Sequence, residues 1–452
     1  MRKTRFFKTV IAAVFFVLIS LIGLSSCSNN KDDDNYTFDN SNMLKIYMFE
    51  QDVLLNKIVS QYSKIHPEIS LDIKKFNKID EYMIKLSGEV MAGEGPDVVF
   101  FNSYSIGSIY KLINIGVFTN LEPFINNNKD FDIEDYNTKV LECGVFDKKR
   151  LFIPFDYKIS VFSSTKEVLK ENNINIDTEG FTSNDFFKKI DPYILSIQQK
   201  KDKYLFSSVL PLGEYVFSSG ISLVDYKNKR VFFDDQEFEE LIKSYKKIYK
   251  MSAQNGIREK YLNQEYDMLK DRDTLFINGG YAINPNDLMF SNSLVTGLLG
   301  ETEVIYPWPK YNGSKKYVAI VDNCLAINNN SENKKNAFDF IKVALSQKIQ
   351  EDNNMHNLPV NDRAKNNLIT KNKTRQEERI IYNDRDIVLK PIPDELLTNY
   401  TKIINNIESC SYIDCYIEGL MYQALVPYLE DKASLENSIK ELKNKTMLYL
   451  NE

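Results

Sequence analysis

Two short polar clusters carry the side chains of this 452-residue chain best suited to chemistry. Glu50-Gln51-Asp52 follows the apolar run Leu44–Phe49, and Asn102-Ser103-Tyr104-Ser105 follows Asp97–Phe101. Carboxylates, amides and hydroxyls in that mixture accept from and donate to a polar solute, which is a binding chemistry. The usual catalytic sets are missing: the sequence has no HExxH, no GxSxG and no P-loop. Two histidines, His66 and His356, leave little for general acid–base work and make a zinc site improbable. A glycoside hydrolase built on two carboxylates needs no fixed local spacing and stays open by motif. Asp130-x-Asp132-x-Glu134 resembles the start of a calcium loop but lacks the glycine such a loop needs.

The elements that must position these groups alternate between strand and helix. Leu44–Phe49 reads as a strand, followed by Asp52 as an N-cap and a helix with Leu54, Leu55, Ile58, Val59, Tyr62 and Ile65 on its apolar face. A strand over Ile69–Phe76 and a helix carrying Ile79, Tyr82, Met83, Leu86 and Val90 come next. The Gly95-Pro96 turn opens a third strand, Asp97–Phe101. A helical pattern of Ile106, Ile109, Tyr110, Ile113 and Val117 then closes at Gly116. The order βαβαβα with right-handed crossovers predicts a parallel sheet flanked by helices. Glu50 and Gln51 then end one strand beside Asn102 and Ser103 at the end of another, where open α/β sheets bind small ligands.

Residues 1–27 read as a secretory leader. Arg2, Lys3, Arg5 and Lys8 are basic, Val10–Ile22 is largely apolar, and Leu24-Ser25-Ser26-Cys27 resembles a bacterial lipobox whose cysteine takes the lipid. The apolar run is shorter than the roughly 20 residues of a membrane span. Residues 28–42, with Asp32-Asp33-Asp34, are too polar to pack and read as a tether. The folded part begins near Met43, and its length exceeds one ordinary core, so two lobes are expected. Removing the leader's four basic residues leaves 53 Lys and Arg against 63 Asp and Glu, about −10, which suits neither nucleic acid nor an anionic lipid surface. Cys143, Cys324, Cys410 and Cys415 match no metal or redox motif and read as small buried residues, with a Cys410–Cys415 bridge as the lesser option.

Several blocks in sequence order resemble the extracellular solute-binding proteins of ABC importers, the family-1 group that includes the maltose-binding protein. They are Gly95-Pro96-Asp97-Val98-Val99 with Gly116-Val117-Phe118 and Leu121-Glu122-Pro123, then Leu151–Phe155, then Lys166–Ile174 with Asn173 where a glycine is common. Leu275–Ile283 follows, similar to the family's F-x-x-G-x-x-A-M segment, then Tyr306–Pro309 with Val318–Ile320 and Leu325–Ile327. Ser331 is the expected cap of the next helix, which carries Ala337, Phe338, Ile341, Ala344 and Leu345, and Leu358-Pro359-Val360 and a closing helix over 434–450 complete the set. Two features depart from sugar binders: Phe162-Ser163-Ser164-Thr165 stands where Tyr-Asn is common, and Trp308 is the only tryptophan.

The resemblance implies an α/β, two-lobe periplasmic-binding-protein-like fold of type II, each lobe a mostly parallel sheet with flanking helices and the cleft between them. It places 43–155 with 318–357 in lobe 1 and 156–317 with 358–452 in lobe 2. Ligand contacts are then expected from Glu50, Gln51, Phe101, Asn102, Ser103 and Tyr104 in lobe 1, from Asp156, Tyr157 and Lys158 at the first crossing, from Asn284, Asn286 and Asp287 in lobe 2, from Trp308, and from Asp322 and Asn323 at the return. The implied protein is not an enzyme and has no cofactor. It is a monomer anchored through Cys27 to the outer face of the cytoplasmic membrane, where it delivers a small polar solute, a sugar first, to permease subunits. A peptide or other polar metabolite as cargo, a sensor or adaptor of the same fold, and a secreted glycoside hydrolase stay open as alternatives.

Overall fold

The computed structural model describes residues 42–177, 181–199, 203–253, 265–277, 284–312, 317–382 and 384–451. The leader with Cys27, the tether before residue 42 and the stretch 278–283 of the F-x-x-G-like block lie outside the described residues. Strand β1 (Met43–Phe49) turns Leu44, Ile46 and Met48 into the core. Asp52 caps helix α1 (Val53–Ile65) as expected, accepting from the Leu55 amide at 2.8 Å. Strand β2 (Ser70–Phe76) pairs with β1 in parallel over seven residues, and helix α2 (Ile79–Met91) buries Tyr82, Leu86 and Val90. Strand β3 (Val98–Phe101) joins the other side of β1, also parallel.

Beyond β3 the sheet changes sense. Cys324–Ile327 runs antiparallel to β3, and Ile153–Pro154 runs antiparallel to that strand. The helix Lys334–Ala344 covers it with Ala337, Phe338 and Ile341, each worth roughly 1–3 kcal/mol of burial. Ser331 does not cap this helix. Its hydroxyl accepts from the Asn333 amide at 3.0 Å and donates to Asp97 Oδ1 at 2.5 Å. Asp97 also accepts from the Lys45 amide at 2.7 Å and from Asn333 Nδ2 at 3.3 Å, so one buried carboxylate ties β1, β3 and the approach to the helix together.

A four-stranded sheet carries the chain across. Strand β4 (Asp156–Lys158) lies between Leu358–Pro359 and strand β5 (Tyr317–Val321), both antiparallel to it, and Ile407–Tyr412 runs parallel to β5. On its far side Val161–Thr165 pairs antiparallel with Glu303–Pro307, and Thr274–Phe276 pairs parallel with Tyr204–Phe206. A single bridge between Ser163 and Ile277 joins the two pairs. The departure noted at Phe162–Thr165 has a structural use here. Phe162 packs among Phe206, Phe276 and Trp308, Ser164 donates to the Leu275 carbonyl at 2.8 Å, and Thr165 caps the helix Lys166–Glu171. Asn173 adopts φ of 55°, the left-handed conformation expected of it after that helix.

Buried apolar residues form two clusters. The first is built on 44–161 and 317–360, with additions that include Leu389–Tyr412. The second is built on 162–277, 306–311 and 417–449. The C-terminal segment contributes to both, with Leu389 and the residues from Ile392 to Tyr412 in the first and those from Ile417 to Tyr449 in the second. The four cysteines carry free thiols. Cys324 is buried, the others are half-buried, and Cys143 lies against Cys410. Among the described residues no helix is long and apolar enough to cross a membrane.

A Cβ on Gly144 would fall 1.9 Å from the backbone oxygen of Phe152, itself fully buried in the first cluster. Gly144→Ala should therefore cost on the order of 1–3 kcal/mol, the usual penalty of overpacking, read as a lower urea midpoint at unchanged slope. A midpoint matching the wild type would show that Phe152 has room to move.

Candidate functional site

The end of β4 points at the seam between the two clusters. Lys158 closes a 2.7 Å ion pair with Glu214 Oε1, and both side chains are nearly excluded from solvent. Glu214 sits on helix α3 (Leu212–Phe217), entered through Pro211. Its carboxylate is also met by the Ser160 hydroxyl. A third charged group, Glu418, comes from the first turn of helix α4 (Cys415–Leu429), which Asp414 caps through the amides of Tyr416 and Ile417. The Glu418 carboxylate rests on Gly213, where a Cβ would come within 2.0 Å of Oε1, and its Oε2 accepts from Tyr104 Oη at 3.0 Å.

Tyr104 belongs to the first cluster's side of the seam, so this bond spans it. Two further contacts do the same: the Tyr110 and Tyr226 rings stack 3.4 Å apart, and Cys415 Sγ meets the Gly107 carbonyl at 3.8 Å. The polar stretch before them folds onto itself. Asn102 Oδ1 accepts from the amides of Tyr104 and Ser105, both at 3.1 Å, so the side chain holds its own turn, and the next helix starts only at Ile109. Ser103 is buried, while Tyr104 is left exposed at the rim.

Burial raises the pKa of Glu214, opposed by Lys158 and reinforced by Asp322. Burial also raises that of Glu418, with the Tyr104 hydrogen bond opposing and the charge of Glu214 adding to it. Asp156 is pushed to about 7, first by burial and then by Asp322, against two hydrogen bonds from Asn323 at 2.9 and 2.8 Å. Asp322 itself accepts from Asn357 at 2.9 Å. Asp156, Asp322 and Asn323 thus form one group that is electrostatically continuous with Glu214.

Beyond Glu214 lies a cavity of about 30 Å³ lined by Ser160, Tyr215, Trp308 and Tyr317, among others. Trp308 Nε1 and Tyr317 Oη are buried there without partners, while the Ser160 hydroxyl meets Glu214. The indole stacks on Phe206 at 4.9 Å and meets Phe162 and Tyr215 edge-on, so its ring is packing. A wider open depression of about 550 Å³ is lined by Gln347, Lys348, Glu351, Asp352, Asn353 and Lys371. These groups pair with neighbours, as Lys57 does with Asp352 and Lys371 with Asn353, and none is a buried unpartnered atom.

Other expected contacts are placed elsewhere. Phe101 is a core ring between Phe118 at 5.8 Å and Phe152 at 5.7 Å, with its faces occupied. Tyr157 is fully buried, its hydroxyl accepting from Asn137 at 3.4 Å. Asn284 caps the helix Pro285–Leu299 and donates to the Met355 carbonyl at 2.8 Å. Asn286 accepts from Asn372 at 3.0 Å, and Asp287 is exposed on the same first turn. Glu50 and Gln51 occupy an exposed turn after β1. Glu214, Glu418 and Ser160 were not foreseen. Glu214 and Glu418 are lone acids in otherwise apolar runs, LPLGEYVF and CYIEGLMYQAL, a pattern that marks a buried charge.

A profile of the family described as bacterial extracellular solute-binding protein matches residues 57–376. No curated protein matches the sequence. Among solved structures, the sugar-binding protein MalE of Xanthomonas citri superposes with a TM-score of 0.68 at 14% identity, over 90% of this chain and 97% of that one. An ABC substrate-binding protein of Listeria monocytogenes, solved with cycloalternan, gives 0.61 at 14% identity over 90% and 99%. A solute-binding protein of Thermotoga lettingae bound to α-D-tagatose gives 0.58 at 16% identity over 91% and 100%. At these identities the likeness establishes the fold: two lobes with the cleft between them.

Two buried acids give a measurable pH dependence. Asp156 and Glu303 are both pushed to about 7 by burial, at Glu303 against hydrogen bonds from Ser291 and Ser163. Their folded pKa values exceed the unfolded ones, so the folded state holds more protons between about pH 4 and 7 and loses their contribution as pH rises through that window. Glu303→Gln should flatten the fall in unfolding free energy between pH 5 and 8 by on the order of a few kcal/mol. An unchanged slope would show that Glu303 is ionised throughout.

Proposed function

The chain belongs to the bacterial extracellular solute-binding proteins, and on that premise we propose that it is the capture subunit of an ABC importer, taking an oligosaccharide into the seam between its lobes. The observation that carries this reading is the convergence of Tyr104, Lys158, Glu214 and Glu418 on one place from both apolar clusters. Closure brings the Tyr104 loop onto the α4 terminus. Opening parts that hydrogen bond and exposes the carboxylates to solvent, which is the hinge behaviour a capture protein uses. Sugar-bound relatives of the same fold support an oligosaccharide as cargo. Hydroxyls of such a cargo match the acceptors and donors at Glu214, Glu418, Ser160 and Trp308.

The proposal extends to the membrane. The basic start, the apolar run and Leu24–Cys27 support lipidation at Cys27, which anchors the protein outside the cytoplasmic membrane beside permease subunits and leaves its body in solvent. Cys27→Ser should release the protein into the medium, read by fractionation. Retention in the membrane fraction would exclude the lipid as anchor.

Thermal unfolding of the purified protein against mono- and oligosaccharides, short peptides and polar metabolites tests the cargo. A solute at about 100 times its dissociation constant adds roughly 2.7 kcal/mol. Tyr104→Phe should weaken the binding of any responding oligosaccharide by roughly 5- to 10-fold, the worth of one hydrogen bond. A response to peptides alone would replace the oligosaccharide, and no response from any solute would remove the capture role.

A further inference from the structure

Two of the four thiols are neighbours that the fold brings together from 267 positions apart. Cys143 lies in the single turn Glu142–Gly144. Cys410 lies in the strand Ile407–Tyr412, where it pairs with Ala319 of β5. Several contacts hold these segments against each other. Lys139 Nζ donates to the Ile407 carbonyl at 3.2 Å. Gly144 lies against the backbone of Phe152, and the Phe152 ring meets that of Tyr412 at 6.0 Å. Cys410 stands two residues before Tyr412 and so projects from the same face of the strand. The Cys143 thiol is hydrogen-bonded to that of Cys410, and both residues are half-buried against the first apolar cluster.

The other two thiols are placed differently. Cys324 is fully buried within the first sheet, paired with Phe101 on one side and Pro154 on the other. Cys415 opens α4 and meets the Gly107 carbonyl. A Cys410–Cys415 bridge, which nearness in sequence suggests, has no such support. Cys410 packs on the first cluster, while Cys415 begins a helix whose apolar residues build the second.

We propose that Cys143 and Cys410 are a disulfide site, closed when the protein meets the oxidising space outside the cell in which its family acts. The step is thiol–disulfide exchange with a low-molecular-weight disulfide. The S–S bond of that oxidant breaks, the bond between Cys143 and Cys410 forms, and the two thiol protons end on the two small thiols released. The hydrogen bond to Cys410 and burial raise the pKa of Cys143, which makes it a poor leaving group, so the closed bond resists reduction. The bond staples the strand that leads into Asp414 and α4 to the turn at Cys143. It goes beyond the capture role and holds whatever the solute.

Peptide mapping of the whole protein tests the site, after equilibration with mostly oxidised glutathione and blocking of the remaining thiols with N-ethylmaleimide. Cleavage before aspartate places Cys143, Cys410 and Cys415 on separate peptides, 135–146, 394–413 and 414–430. The first two should appear as one species that reductant splits, with Cys324 and Cys415 alkylated. Alkylation of both Cys143 and Cys410, a glutathione adduct on either, or a bond from either to Cys324 or Cys415 would overturn the assignment. Thermal unfolding reads the staple. Reductant should lower the melting temperature of the wild type by about 2–8 °C, as expected for a bond that closes a long loop. It should leave the double variant Cys143→Ser with Cys410→Ser unmoved. A wild type that melts at one temperature with and without reductant would overturn the stapling role. Neither measurement involves a solute, so the outcome is independent of the oligosaccharide reading.

Discussion

The carboxylate of Asp97 is the constraint on which the first lobe depends. It accepts from the Lys45 amide in β1, from Ser331 and from Asn333, while its own backbone receives the Asn328 amide and donates to Lys45. A buried acid is tolerable only when its oxygens are met, and this one is met by groups more than 230 positions away in sequence. Fixing it fixes the register of β3 between β1 and the returning strand Cys324–Ile327. From there the chain has one way to leave the sheet, through Phe101 into the turn that presents Tyr104.

The crossing sheet carries the chain from that lobe to the second cluster. β4 and β5 pair at only two positions, Ile320 with Lys158 and Val321 with Tyr157. The fully buried Tyr157 anchors β4 from below. Lys158, the next residue, pairs with Ile320 and sends its side chain to Glu214.

The Lys158–Glu214 pair contributes little that an apolar pair could not. Desolvating both charges costs several kcal/mol, and the attraction regained is of similar size. It stands in a buried polar group, with Ser160 on Glu214 and Tyr104 on Glu418, beside a small cavity that holds the unpartnered Trp308 N–H and Tyr317 hydroxyl. Trp308 illustrates the division of labour: its faces hold the second core together, and only its N–H edge is left to the cavity.

Sequence alone determined what local physics determines. The βαβαβ order of the first lobe and the Asp52 cap follow from periodicity and capping within a few residues, and the left-handed Asn173 and the closing helix from the family resemblance; the structure has each of them. The triplet that forms β4 was also legible, since Asp156 and Lys158 lie in the sheet between the two clusters. The tertiary structure decided which polar groups meet. Glu214 and Glu418 stand 204 positions apart and are brought together because α3 and α4 pack in one core with Gly213 between them. The same packing made Phe101 a core ring and Asn284 a helix cap, although residue type alone suits both to a ligand. Residue type sets what a side chain can do. Burial, partner and direction set what it does, and these come from contacts the chain makes with distant parts of itself.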